Sequence, residues 1–115
     1  MSRLKDNVPE LELCKKIPEG HFEDSALVHT ANGVYPRTII TDGGVEHFYC
    51  GVPAPTLEEI LFELAQMEIC PTIGALLTVK GDAIYTIDAD GVLVQGVNSA
   101  ATTALKMWLK QKGVE

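Results

Sequence analysis

The chain has 115 residues, 46% hydrophobic and 22% charged, with a formal net charge of -7 from 16 acidic and nine basic side chains. That length makes one domain, residues 1–115, which buries about two-thirds of the surface of its extended chain and needs no metal or disulfide as a staple. Acidic residues fall evenly on both halves, which counts against nucleic acid and anionic membrane surfaces as partners, and no window reaches the roughly 20 apolar residues that span a bilayer.

Asn7, with Glu10 three residues on, predicts an N-capped two-turn helix over residues 9–17, with Leu13 and Ile17 inward and Pro18 and Gly20 as the stop. Residues 25–30 read as a strand, and Asn32-Gly33 after it is a dipeptide favoured in type I′ hairpin turns. The partner strand is expected over residues 34–41, where Pro36 removes one donor and argues for an edge position or a bulge. Asp42-Gly43-Gly44 then turns the chain into a third strand over residues 45–49.

A Gly/Pro connection leads to the best-defined element. Thr56 is a preferred N-cap, Glu59 stands where it can reach back to the Thr56 N–H, and Pro55 with Ile60 can staple the entry. Leu57, Ile60, Leu61, Leu64 and Ala65 recur at helical spacing, while Glu58, Glu59, Glu63 and Gln66 fall on the other side. This helix should end near Glu68, since Pro71 cannot continue it.

Strands follow over residues 75–80, 83–88 and 92–97, joined by Gly81-Asp82 and Asp90-Gly91. Asn98 or Ser99 caps a final helix with Ala101, Ala104, Leu105, Trp108 and Leu109 on one face and Gly113 as its C′ residue. The fold class is α+β: two antiparallel β-meanders in βββ-α-βββ-α order after a short N-terminal helix, with the amphipathic helices packed on one sheet face. Both meanders are expected to form a single layer.

Cys14, Cys50 and Cys70 are an odd number without CxxC spacing, and the expected compartment is a reducing cytoplasm. His47-Phe48-Tyr49-Cys50 looks like half a zinc site, but no second ligand pair accompanies it, and on a strand His47 and Cys50 point to opposite faces. Cys14 reads as a structural thiol, its pKa lowered slightly by Lys15 and Lys16. Asp88-Ala89-Asp90-Gly91 suits a hairpin turn better than a calcium loop, Asp42-Gly43-Gly44 lacks the helix a phosphate loop needs, and Glu58, Glu59 and Glu63 suit a solvated helix face. Residues 56–112 have the element order of a double-stranded-RNA-binding domain, but residues 98–102 carry no basic side chain for phosphates. No catalytic, cofactor-binding or metal-binding residue is assigned.

Leu11-Glu12-Leu13-Cys14-Lys15-Lys16-Ile17, with Phe22 and Ser25 following, and Ala54-Pro55-Thr56-Leu57-Glu58-Glu59-Ile60 resemble segments of uncharacterised small proteins of gut bacteria and their prophages. In those proteins an LELCKK helix leads into strands, an APTL-capped helix, more strands and a C-terminal helix. The resemblance implies this element order and a bacterial or phage source, and it brings no activity or site residue. The expected function is a small cytoplasmic, non-enzymatic interaction module that contacts another protein or its own copy, with the apolar strand at residues 92–97 either an edge that pairs with a second chain or a covered strand. The alternative is a small-molecule-binding domain or small enzyme with a site near His21, His29, His47 and Cys50.

Overall fold

The computed structural model describes residues 8–23, 25–36, 38–40, 43–44, 46–48, 51–97 and 99–114. Its elements run α1 (Leu11–Cys14), β1 (Leu27–Thr30), β2 (Gly33–Pro36), β3 (Thr38–Ile40), β4 (Glu46–Phe48), β5 (Val52–Pro53), α2 (Leu57–Gln66), β6 (Thr72–Leu77), β7 (Ala83–Ala89), β8 (Val92–Val97) and α3 (Ala100–Gln111). The class is α+β, and the C-terminal half has the expected meander followed by a helix.

Both long helices start and stop on side-chain and backbone devices. The Thr56 side chain accepts from the Glu59 N–H (3.2 Å) while the Glu59 carboxylate accepts from the Thr56 N–H (2.8 Å), a complete capping box. Ser99 Oγ accepts from the Thr102 N–H at 3.1 Å, whereas Asn98 lies outside the described residues. At the other end of α2, Glu68 takes φ 62° and the Ile69 N–H returns to Leu64 O at 2.9 Å, with Ile69 buried behind it. Gly113 and Val114 repeat this return on α3, so both helices close on a Schellman motif.

α3 lies on β8 and β7, and α2 packs beside α3. Trp108, Leu105, Leu109 and Met107 of α3 join Ile60 and Leu64 of α2 and Ile87, Ala89 and Val94 of the sheet in one buried cluster. Of the expected α2 face, Leu57 and Leu61 pack partly buried against that cluster. Ala65 is exposed, so the apolar stripe is narrower than its spacing suggested. Gly96 lets α3 approach closely, since a Cβ there would collide with Thr103 Oγ1.

The N-terminal half departs from a simple meander, and the described strands form three separate sheets rather than one layer. β1 is central in the first sheet, between β2 and β5, while β3 pairs only with β4. The expected strand over residues 34–41 therefore changes partner after Pro36, whose nitrogen faces the outer side of the edge strand β2, where a missing N–H costs the ladder nothing. Val52–Pro53 pairs with β1 on its other side, and the Ala54 N–H adds a bond to Leu27 O at 3.0 Å. A second, small cluster of Val8, Leu27, Val34 and Ala54 lies in this half.

Three turns also differ in detail. α1 is one turn, its N-cap is Glu10 without a side-chain bond, and Asn7 lies outside the described residues. The first hairpin turns on Ala31-Asn32, since Thr30 pairs with Gly33, and Gly33 carries the positive φ of 126° as a strand residue. Between β6 and β7 the Gly81 N–H donates to Thr78 O and the Thr78 N–H to Asp82 O, with Gly81 at φ 91°. This three-residue loop ends the strand at Leu77 rather than at Lys80. Asp90 (φ 50°) and Gly91 (φ 78°) make the expected tight turn into β8.

Candidate functional site

The loop between α1 and β1 is held down by the core tryptophan. Phe22 takes φ 58°, costly for an aromatic residue, yet its ring is buried 4.9 Å from that of Trp108. His21 meets the same indole edge-on at 5.2 Å, and the Lys112 ammonium stands 5.7 Å from its ring centre. Trp108 Nε1 is buried without a hydrogen-bond partner among the described residues.

This loop and α2 enclose an open groove of about 520 Å³ whose walls include His21, Phe22, Ser25, Glu58, Phe62 and Glu63. A second groove of about 330 Å³ lies on the other side of His21, between the end of α1 and β5. Glu59 also borders the first groove, but its carboxylate is committed. Besides the capping bond it accepts from Ser25 Oγ and the Ala26 N–H, each at 3.1 Å, and so ties the start of β1 to α2. Glu59, the expected capping glutamate of this face, is thus also an anchor for the segment before β1.

The histidines divide. His21 borders both grooves, whereas His29 Nε2 lies 2.8 Å from Pro9 O and must carry the hydrogen, because a carbonyl only accepts. His29 lines neither groove. His47 belongs to β4, its side chain lies outside the described residues, and so does Cys50. Among the described residues no group of three or more His, Cys, Asp or Glu side chains could hold a metal ion.

Cys14 is buried, its Sγ 3.5 Å from Pro9 O, and its pKa is pushed up to about 12, first by burial and then by the nearby Glu10 charge. This reverses the slight lowering expected from Lys15 and Lys16. Burial removes the thiolate's hydration, and both lysines lie exposed. Such a thiol is a poor nucleophile.

The other candidate is a strand. β6 is the edge of its sheet, and five of its six residues are exposed. Residues 71–79 contain no charged side chain, and Ile73 (44%), Leu76 (65%), Leu77 (72%) and Val79 (105%) are open to water. The backbone register follows from one bond: the Thr78 N–H reaches Asp82 O at 2.8 Å. Antiparallel ladders alternate, so Leu76, Gly74 and Thr72 bond toward β7, and Ile73, Ala75 and Leu77 aim their N–H and C=O groups away from the sheet.

The opposite edge, β8, differs in a way its sequence did not reveal. One of its faces is covered by α3, and Lys106 Nζ stands 3.5 Å from Gln95 O. A lysine at an edge discourages strand addition. Of the two expectations for residues 92–97, a pairing edge or a covered strand, the helix lying on β8 agrees with the second. Among the described residues no helix is long and apolar enough to cross a membrane. No protein-family model matches the chain, and neither curated proteins nor solved structures give a significant match.

Proposed function

We propose that the chain is a small, non-enzymatic interaction module of the cytoplasm that takes up a protein partner by strand addition at β6. One observation carries this reading: an uncharged, apolar edge strand whose outward backbone groups have no partner among the described residues, in a sheet whose opposite edge has a lysine beside it. A bare edge of this kind invites aggregation unless something pairs with it. The exposed free thiol of Cys70 suits a reducing compartment.

Cross-linking of the full chain in a bacterial extract tests the reading, with Ala75→Pro and Leu77→Lys as variants. Ala75→Pro removes an outward N–H without touching the ladder to β7, so the fold survives. Complexes of the wild-type chain that vanish in both variants support strand addition. Absence of any complex, or complexes indifferent to both variants, overturns it.

A second reading, small-ligand binding in the groove beside His21, draws support from a volume within the usual range for ligand sites, roughly 300–1,000 Å³. Fragment titration followed by the His21 ring resonances tests it, and shifts that persist in Phe62→Ala count against it.

A further inference from the structure

Resting on the strand-addition reading, we infer that the partner at β6 is a second copy of this chain, joined about a two-fold axis through Ala75 into a continuous six-stranded sheet. Two constraints fix that register. A two-fold axis perpendicular to a sheet keeps each side chain on its own face, so paired residues must differ by an even number of positions. The outward backbone groups belong to Ile73, Ala75 and Leu77, and these must form the hydrogen-bonded pairs. Centring on Ala75 satisfies both: Ala75 faces its own copy, and Ile73 faces Leu77 twice, so all three outward residues on each strand are paired.

The side chains agree with this arrangement. On the face toward α3, the two Ile73-Leu77 pairs and the central alanines form one apolar row, covering residues that stand 44% and 72% exposed in the single chain. On the other face Leu76 lies opposite Gly74 of the second copy, large against small. Leu76 also continues a cross-strand row through Ile84 to Val97, so the two copies extend one another's apolar stripe.

Charge does not oppose a second copy of this chain at this place. Each chain carries a formal net charge of -7 and repels its like over most of its surface, but residues 71–79 bring no charge to the contact. The strand is about 20 Å long. Its contact area falls below the roughly 800 Å² per partner of a standard stable interface, so the dimer is weak and forms with rising concentration.

Sedimentation equilibrium of the purified full chain from micromolar to millimolar concentration tests the inference, together with isotope-filtered NMR on a mixture of labelled and unlabelled chains. The expected result is a concentration-dependent dimer with an intermolecular Hα contact between Gly74 and Leu76, and slowed amide exchange at Ile73, Ala75 and Leu77. Ala75→Pro removes two symmetry-related hydrogen bonds and weakens the dimer about tenfold, and Leu77→Lys weakens it through a different chemistry. A chain that stays monomeric at millimolar concentration, or a dimer indifferent to both variants, overturns the inference. If the purified chain is monomeric yet its extract complexes still depend on Ala75 and Leu77, the second-copy inference fails and strand addition stands.

Discussion

Replacing Glu59 by alanine should cost far more than its place on an outward-looking helix face suggests. Its carboxylate receives the Thr56 N–H at 2.8 Å, and Ser25 Oγ and the Ala26 N–H at 3.1 Å. Hydrogen bonds to a charged group contribute about 1.5–3 kcal/mol each, but these three share one partly exposed carboxylate, so the combined loss is about 2–3 kcal/mol. Thr56→Ala, which removes only the other half of the capping box, should cost about 1 kcal/mol. Glu58→Ala deletes the same charge from the same first turn, and its cost is limited to the helix-dipole contribution of about 0.3–1 kcal/mol. Equilibrium urea unfolding of the three variants reads these differences directly, and a Ser25/Glu59 double-mutant cycle isolates the bond between chain segments. If Glu59→Ala and Glu58→Ala move the midpoint equally, Glu59 anchors nothing and the tie between β1 and α2 is wrong.

Gly96→Ala drives a methyl into Thr103 Oγ1 and should destabilise the fold by about 1–3 kcal/mol, as overpacking does; thermal unfolding checks this, and pairing it with Thr103→Ala should recover part of the loss. Cys14 gives a pH signature. The unfolded chain releases this thiol's proton near its ordinary pKa of 9.0, while the folded chain holds it to about 12, so the unfolded state binds fewer protons in that window and stability falls as pH rises through it. Unfolding curves from pH 8 to 11 should show a shallower decline for Cys14→Ala than for the wild type. In mass-resolved alkylation of the native protein, the Cys70 peptide should label well before the Cys14 peptide.

Local chemistry carried most of what the sequence revealed. Thr56 and Glu59, Ser99, Gly113 and the Asp90-Gly91 turn each act within a few residues, and each appears where its spacing placed it. The misread pieces depend on distant partners. Val52–Pro53 is too short to announce a strand, and its pairing rests on Gly51, where a Cβ would strike His29 O. Residues 92–97 are apolar at nearly every position, which suits a pairing edge and a covered strand alike, and which edge stays bare depends on where α3 lies and where Lys106 reaches. A period-two pattern says nothing of that. His21 entered as one of three equivalent histidines, and its contact with Trp108 spans 87 positions of sequence.

The small cluster of Val8, Leu27, Val34 and Ala54 shares no member with the large one around Trp108. Two unequal cores in so short a chain imply two tiers of cooperativity, with the lesser one opening at a lower free energy while the helices and the C-terminal sheet hold. The Glu59 carboxylate then acts as a clasp between the tiers, and weakening it would let the first half breathe without melting the second.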